Sequence, residues 1–218
     1  MDTPKIHEKA IIRLEANEVA DLLDIAEDGT GLTEKQKKYH RHTVVRDSAI
    51  LSLFLGTGIR ISELVGIDCN DIDFSDNSFL VTRKGGNQEK LMFSNEVAKS
   101  LTDYYEIRKT IIPASGHEDA FFLSMQKKRI NVRSVENLVE KYAKLASPLK
   151  PITPHKLRST YGTMLYQESG DIYLVADVLG HKDVNTTRKH YAAQSEERRR
   201  TASRYIQLRD NHESDEDS

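Results

Sequence analysis

The sequence predicts a mainly α-helical domain that carries a small three-stranded antiparallel β-sheet. Hydrophobic residues make up 38% of the 218 residues, which is adequate for the core of one substantial helical domain. A Gly-Gly-Asn sequence at 85–87 separates two apolar-rich runs, at 78–83 and 88–93. This pattern is typical of a β-hairpin. We therefore expect one domain in which helices surround a minor sheet.

The expected helices follow the chain in order at 15–28, 43–56, 61–66, 94–110, 131–146, 154–169, 171–179, 185–192 and 196–209. Strands are expected near 67–74, 78–83 and 88–93. Residues 29–42 contain two glycines and several basic residues, and this composition favours a loop or a frayed helix.

Helix boundaries are well marked in the last third of the chain. Thr153 can cap a helix that begins at Pro154, because the first helical position needs no amide donor. The apolar run from Ile172 to Leu179 stops at Gly180, a residue that commonly ends a helix. His181 is therefore expected at the start of a turn, and Asn185 or Thr186 can cap the next short helix.

Charge and composition exclude several classes of protein. The 32 basic and 34 acidic residues give a net charge of −2, but four of the acids lie in the last six residues. Basic runs remain at 35–41, 127–133 and 198–200. The single cysteine, Cys69, excludes an internal disulfide and a cysteine-based zinc site. No apolar stretch approaches the ~20 residues of a membrane span, so a cytoplasmic protein is expected.

The most informative residues are two arginines, two histidines and a tyrosine: Arg60, His155, Arg158, His181 and Tyr191. A phenol with a pKa of ~10 is a poor nucleophile at neutral pH and needs nearby bases and cations. Guanidinium groups can bind the non-bridging oxygens of a phosphate and stabilise a pentacoordinate state. Because His155 and Arg158 are three residues apart, they share one helical face. The set predicts attack of a tyrosine hydroxyl on a DNA phosphodiester.

Four separated motifs make the chain resemble the tyrosine recombinase (phage integrase) family over roughly residues 14–193. The matching segments are Thr57–Leu64 (TGIRISEL), Thr153–Arg158 (TPHKLR), Leu179–His181 (LGH) and Thr187–Tyr191 (TRKHY). The resemblance implies the catalytic fold of that family and a covalent 3′-phosphotyrosine intermediate. It also implies a site-specific recombinase that integrates or excises a phage or transposon-like element.

The resemblance also implies a role for each site residue. Arg60 and Arg158 would form the phosphate clamp, His155 would take part in proton transfer, His181 would donate a hydrogen bond to the phosphate, Tyr191 would be the nucleophile, and Glu63 would orient its neighbours. The family uses a hairpin lysine as the general acid for the leaving 5′ oxygen. Lys84 is the best match, while Arg83 and Lys90 remain alternatives because the hairpin has one glycine more than the family's pattern.

No metal or cofactor is expected in the chemistry. The sequence has no Gly-x-x-x-x-Gly-Lys-[Ser/Thr] phosphate loop, and rejoining through a phosphotyrosine needs no ATP. It has no cluster of carboxylates at metal-ligand spacing either.

The expected organisation is a catalytic domain at 1–193, a C-terminal helix at 194–209 and an acidic disordered tail at 210–218, without the N-terminal core-binding domain of the family. Ser195 can cap the C-terminal helix, and Ala202, Tyr205 and Ile206 form an apolar stripe along it. This helix is expected to dock on a neighbouring protomer, with docking on its own domain as the alternative.

The expected partner is double-stranded DNA with paired inverted-repeat half-sites. The chain would form a homo-oligomer on this DNA, and the complete synapse would contain four copies. Accessory DNA-bending proteins are possible further partners, and some of the basic runs would contact the DNA backbone. Two other functions remain open. One is a relaxing topoisomerase that uses the same chemistry as a monomer, and the other is a helical DNA-binding module without catalysis.

Overall fold

The computed structural model of the chain describes residues 12–83, 85–181, 184, 185 and 187. Seven α-helices lie in these residues: α1 (Ala16–Asp28), α2 (Glu34–Thr57), α3 (Ile61–Gly66), α4 (Asn95–Thr110), α5 (Val132–Ala146), α6 (Pro154–Ser169) and α7 (Ile172–Val178). Three strands lie between α3 and α4: β1 (Ile72–Asp73), β2 (Ser78–Thr82) and β3 (Gln88–Met92). The prediction of a mainly helical fold with one small antiparallel sheet is confirmed.

The sheet has the order β1-β2-β3, and both of its strand pairs are antiparallel. Phe79 in β2 lies opposite Ile72 on one side and Leu91 on the other. Phe79 and Val81 are buried while Leu80 is exposed, so alternate side chains of β2 face the core. The β2–β3 pair is the predicted hairpin, within one residue of the expected boundaries.

The first strand is much shorter than predicted, because β1 contains two residues rather than the whole of 67–74. Residues Cys69–Asp71 form a 3₁₀ turn instead. The Asp71 carboxylate accepts a hydrogen bond from the Asp68 amide at 2.8 Å, and this local bond replaces a ladder bond. The Cys69 amide donates to the Asp119 carbonyl at 2.8 Å, so this segment pairs with a loop outside the sheet.

The second helix begins earlier than predicted, so the interpretation of 34–42 as a loop or frayed helix is wrong. Thr33 and Gln36 form a capping box, in which the Thr33 amide donates to the Gln36 side chain at 2.9 Å. One turn later, His40 is buried and its Nε2 lies 2.8 Å from the Ala26 carbonyl oxygen. The capping box and the contact with α1 together stabilise these first turns of α2.

Helix α2 lies at the centre of the core. Every residue from 47 to 55 is buried, which is expected for a helix that is covered on all sides. It packs against α1, α4 and α6. A smaller apolar cluster joins α6 to α7, where Val175 and Leu179 pack on Tyr161. This smaller cluster sets the position of the chain segment that follows α7.

A buried carboxylate ties α2 to α5. Asp47 accepts hydrogen bonds from Thr43 at 3.0 Å, from Tyr142 at 2.9 Å and from Lys141 at 3.1 Å, and Arg46 pairs with it at 2.7 Å. Burial and the nearby Asp47 carboxylate raise the pKa of Tyr142 far above its ordinary value. The phenol therefore stays protonated and serves as a donor within the core.

In the segments that the structure describes, no helix is both long enough and apolar enough to cross a bilayer.

Candidate nucleic-acid active site

The site forms where three distant segments meet: the α2–α3 turn, the start of α6 and the chain that follows α7. Helix α2 ends at Gly58, whose φ of +63° belongs to the left-handed region. A Cβ atom at Gly58 would lie 2.4 Å from Tyr161 Cδ1 and 2.8 Å from Leu179 Cδ2. Only glycine allows this turn to approach α6 and α7 so closely. The turn places Arg60 next to both helices.

Arg60 is held by the carboxylate of Glu63. The Arg60 side chain donates from Nη1 to Glu63 Oε1 at 2.6 Å, and the Arg60 amide donates to Glu63 Oε2 at 3.0 Å. The Glu63 side chain is only 4% exposed, whereas the Arg60 side chain is 36% exposed. A buried carboxylate thus fixes a guanidinium that still reaches solvent. Glu63 therefore sets the position of the Arg60 guanidinium, and its role in a reaction stays a prediction.

Arg158 is buried and donates to two backbone carbonyl oxygens, those of Gly58 and Leu179. Arg60 Nη2 donates to the same Leu179 oxygen and to the Gly180 oxygen, at 3.1 Å in each case. The two arginines predicted to form a clamp are 98 positions apart in the chain, yet their guanidinium groups meet at one carbonyl oxygen. The structure therefore brings the two together.

His155 lies in the first turn of α6 and is exposed. The helix begins as predicted, because the Thr153 hydroxyl caps it by accepting from the Lys156 amide and Pro154 follows the cap. His155 is one turn before Arg158, on the same side of α6. The exposed His155 and the buried Arg158 therefore lie on the same side of α6 at different depths.

His181 follows Gly180, which has a φ of +58°. The His181 amide donates to the Ala176 carbonyl at 2.8 Å, which closes the end of α7. Its Nδ1 lies 2.7 Å from the Thr187 hydroxyl, and Thr187 is fully buried. The backbone bond fixes the place of the residue, and the contact of Nδ1 with Thr187 orients its imidazole. Sequence reasoning quoted Thr187 as part of a motif but assigned it no role.

Arg83 also reaches the site from the hairpin, and sequence reasoning considered it only as an alternative acid. Its Nε lies 2.7 Å from Glu89 Oε2 and 4.0 Å from Glu63 Oε1. Its Nη2 donates to the Val178 carbonyl at 3.3 Å. The Arg60, Arg83 and Arg158 side chains thus converge on three consecutive carbonyl groups, at 178–180. The carboxyl end of a helix carries partial negative charge, which suits these cations.

The other alternative acid, Lys90, lies in β3 and forms an ion pair with Asp76. Both side chains are about half exposed. The hydrogen bond with Asp76 and its negative charge raise the pKa of Lys90. A raised pKa makes an ammonium group a weaker acid, which disfavours Lys90 as a proton donor.

Lys84 and Tyr191 lie outside the described residues, as do most of the predicted helix at 185–192, all of the one at 196–209 and the predicted acidic tail.

The arrangement is suited to binding a phosphate group. Two oriented guanidinium groups meet at the Leu179 carbonyl oxygen, and an oriented imidazole, that of His181, follows two residues later. Preorganised donors of this kind stabilise the developing charge of a phosphoryl transition state. Backbone carbonyl oxygens hold part of each guanidinium, and every guanidinium has five N–H donors. Among the described residues, no three His, Cys, Asp or Glu side chains gather as a metal-binding group.

The chain is similar in sequence to known proteins. The chain is 35% identical over 150 residues to the tyrosine recombinase XerC of Thermodesulfovibrio yellowstonii, covering 67% of this chain and 50% of that protein. It is 29% identical over 174 residues to XerC of Vibrio cholerae, covering 80% and 51%. The chain therefore spans about half the length of these curated relatives.

Solved structures show the same fold. The XerA recombinase superposes with a TM-score of 0.75 at 23% identity, over 93% of this chain and 68% of that one. The integrase of transposon Tn1549, bound to transposon right end DNA, gives 0.64 at 24% identity, over 90% and 68%. A model of the phage integrase family matches residues 12–198, which include all of the predicted site residues. The chain belongs to the phage integrase family.

Proposed function

We propose that this chain cleaves and rejoins DNA at specific sites through a covalent 3′-phosphotyrosine intermediate, and that it integrates or excises a mobile element. The observation that carries the proposal is the meeting of Arg60 and Arg158 at the Leu179 carbonyl oxygen, next to His181. Two guanidinium groups this close can bind both non-bridging oxygens of one phosphodiester. The XerC relatives are named as recombinases, and a transposon integrase shares the fold.

In the proposed reaction, the Tyr191 hydroxyl gives up its proton, with His155 as the transfer partner, and its oxygen attacks the phosphorus. The phenolic oxygen becomes bonded to the 3′-phosphate, the bond to the 5′ oxygen breaks, and that oxygen takes a proton from Lys84. Arg60 and Arg158 stabilise the charge of the pentacoordinate state. A 5′-hydroxyl then attacks the phosphotyrosine in the reverse sense, so the joined product forms without an external energy source.

Lys84 is the general acid in this proposal. The ion pair with Asp76 raises the pKa of Lys90, so Lys90 would give up its proton less readily. An arginine is not deprotonated in proteins, because its pKa lies above ~12, and Arg83 therefore cannot supply the proton. Of the three hairpin cations considered from the sequence, Lys84 is the one compatible with proton donation.

The two alternative functions differ in their products. A relaxing topoisomerase of the same chemistry would produce relaxed circles without recombinant joints. A DNA-binding module without catalysis would form no covalent adduct. The fixed orientation of Arg60, Arg158 and His181 favours catalysis, because phosphate contacts that only hold DNA do not require buried, hydrogen-bonded side chains.

The proposed function is tested by trapping the adduct. A nicked suicide substrate, from which the cleaved strand diffuses away, should become covalently attached to the wild-type protein, and peptide mapping should locate the DNA on Tyr191. Tyr191→Phe should still bind the DNA but form no adduct, because the nucleophilic oxygen is gone.

Tyr161 provides a matched control. It packs near the same turn, but burial raises the pKa of its phenol, which makes it a poorer nucleophile. Tyr161→Phe should retain adduct formation. An adduct that maps to Tyr161 or Tyr205, or one that persists in Tyr191→Phe, would disprove the assignment.

We also propose that the chain assembles on paired half-sites, as a tetramer in the full synapse, with residues 194–209 of one protomer docked on its neighbour. A groove of about 830 Å³ between α1, α2 and α4 is a suitable acceptor. Its lining includes the apolar residues Leu23 and Val45 and one lysine, Lys99, which pairs with Asp103. Five acidic side chains also line it: Asp24, Glu27, Glu96, Asp103 and Glu106.

The charge of this groove suits the docking segment. An acidic groove repels DNA, but it complements the basic run Arg198–Arg200. The apolar part of the lining matches Ala202, Tyr205 and Ile206 of the same segment. Docking in trans would link the placement of Tyr191 in one protomer to the presence of the next, so that cleavage depends on assembly.

A further inference from the structure

We propose that Arg83 is a positioning residue, which anchors the β2–β3 hairpin to the phosphate clamp and thereby sets the approach of its sequence neighbour Lys84 to the leaving oxygen. The proposal rests on the function proposed above, in which Lys84 is the general acid. Arg83 directly follows β2, and its side chain is 14% exposed. A long cationic side chain held this close to the protein needs specific partners.

Carboxylates on two elements lie close to the guanidinium. Glu89 in β3 forms an ion pair with it, at 2.7 Å from Arg83 Nε, although Nε itself makes no hydrogen bond to a described residue. Glu63 in α3 lies 4.0 Å from the same atom and 2.6 Å from Arg60 Nη1, through the same oxygen, Oε1. Arg83 therefore shares a buried carboxylate with the clamp residue Arg60. This shared carboxylate places the hairpin directly beside the clamp.

The other end of the guanidinium is held by the chain that follows α7. Nη2 donates to the Val178 carbonyl at 3.3 Å, next to the carbonyl groups that hold Arg60 and Arg158. This bond joins the hairpin to the segment that leads to His181.

The backbone of Arg83 is fixed as well. Its amide donates to the Asn87 carbonyl at 2.8 Å, and its carbonyl oxygen accepts from the Gly86 amide at 3.0 Å. A rigid residue directly before Lys84 restricts where Lys84 can reach. A general acid acts only within hydrogen-bond distance of the oxygen that it protonates, and a misplacement of ~1 Å can cost ~10²-fold in rate.

The experiment compares two leaving groups on one nicked half-site substrate. One version has the normal 5′ oxygen, and the other has a 5′-bridging sulfur, which departs without protonation. Arg83→Gln should slow single-turnover cleavage of the oxygen substrate by about 10- to 100-fold. It should slow cleavage of the sulfur substrate by less than about threefold, because a misplaced acid then no longer matters. Both rates come from one protein preparation, so their ratio does not depend on the folded fraction.

Two variants make the comparison specific. Arg60→Ala should slow both substrates alike, because a lost phosphate contact affects either leaving group. In a Lys84→Ala background, Arg83→Gln should slow the oxygen substrate by less than about threefold further, since two residues that act through one step are not additive. Arg83→Lys, which keeps the charge but lacks the planar fork, should recover part of the rate on the oxygen substrate.

Three results would overturn the role of Arg83. They are equal losses of cleavage rate on the two substrates, an Arg83→Gln variant that cleaves as fast as wild type, and multiplied rate losses in the Lys84→Ala background. A wild-type protein that forms no adduct with either substrate would instead overturn the proposed function, and the positioning role with it.

Discussion

Arg60 forms an ion pair with buried Glu63 and is also proposed to bind the phosphate, and its removal should separate the two roles. Arg60→Ala should lower the rate of DNA cleavage by about 10²- to 10³-fold, the usual cost of losing a preorganised donor to developing charge. The variant also removes one partner of buried Glu63, at a cost of about 1–3 kcal/mol of stability. Arg158→Ala should show a rate loss of similar size.

The measurements are single-turnover cleavage and urea unfolding of the same variants. Glu63→Gln is the matched control, because it keeps an acceptor for the Arg60 amide while it weakens the ion pair. It should lower the rate less than Arg60→Ala does. If the activity of Arg60→Ala returned in full under conditions that restore folding, Arg60 would have a structural role alone.

The sequence predicted some of the site residues but not their contacts. The motifs located Arg60, His155, Arg158 and His181, which the structure places in three adjoining segments. No motif predicted the contact of His181 with Thr187 or that of Arg83 with Val178. A threonine hydroxyl or a hairpin arginine gives no pattern in the sequence that reveals which distant atom it meets. Such contacts depend on how the elements pack.

At the scale of elements, the α2–α3 turn is the part of the fold on which the site depends most. Gly58→Ala would put a Cβ atom 2.4 Å from Tyr161 and force an unfavourable φ of +63° on alanine. We expect a loss of about 1–3 kcal/mol in the free energy of unfolding. Cleavage should slow as well, because Arg158 donates to the Gly58 carbonyl.

Gly66, the last residue of α3, provides the control for this substitution. A Cβ atom there meets nothing within 4 Å, and Gly66 does not have a positive φ. Gly66→Ala should leave stability unchanged or raise it by up to about 1 kcal/mol. Urea unfolding and cleavage of both variants provide the comparison, and similar values for the two would show that the turn tolerates a side chain.

Elements with strong local signals were predicted well. The boundaries of α6 follow Thr153 and Pro154 at one end, and the end of α7 follows the glycine at 180. The two errors have tertiary or competing local causes. The first turns of α2 are stabilised by the contact of His40 with α1, and the expected start of β1 is replaced by the Asp68–Asp71 turn. Neither outcome follows from periodicity alone.

For the whole molecule, charge distribution decides which surface can face DNA and which can face protein. Exposed lysines at 35, 38, 127 and 128 belong to the predicted basic runs, whereas Arg129 pairs with Asp68 and serves the fold. The groove between α1, α2 and α4 has an acidic rim. A protein surface of this kind should bind a basic segment rather than a phosphate backbone, as the trans-docking proposal requires.

Deletion of residues 195–218 should therefore weaken cooperative assembly on paired half-sites, while binding to a single half-site falls by much less. A chain that ends at 209 is the matched control, because it loses only the predicted tail at 210–218 and should assemble like wild type. Gel-shift titrations on single and paired half-sites measure both quantities.

Mixing distinguishes docking in trans from docking in cis. Asp103→Lys with Glu106→Lys should impair the acceptor groove, as the deletion impairs the donor segment. In trans, a mixture of the two defective proteins keeps one intact donor–acceptor pair, because the deleted chain retains its groove and the groove variant retains its segment. The mixture should then form dimers on paired half-sites better than either protein alone. In cis, each protein lacks its own contact and mixing restores nothing.

Unchanged cooperativity in the truncated chain, or no gain on mixing, would rule out exchange between protomers.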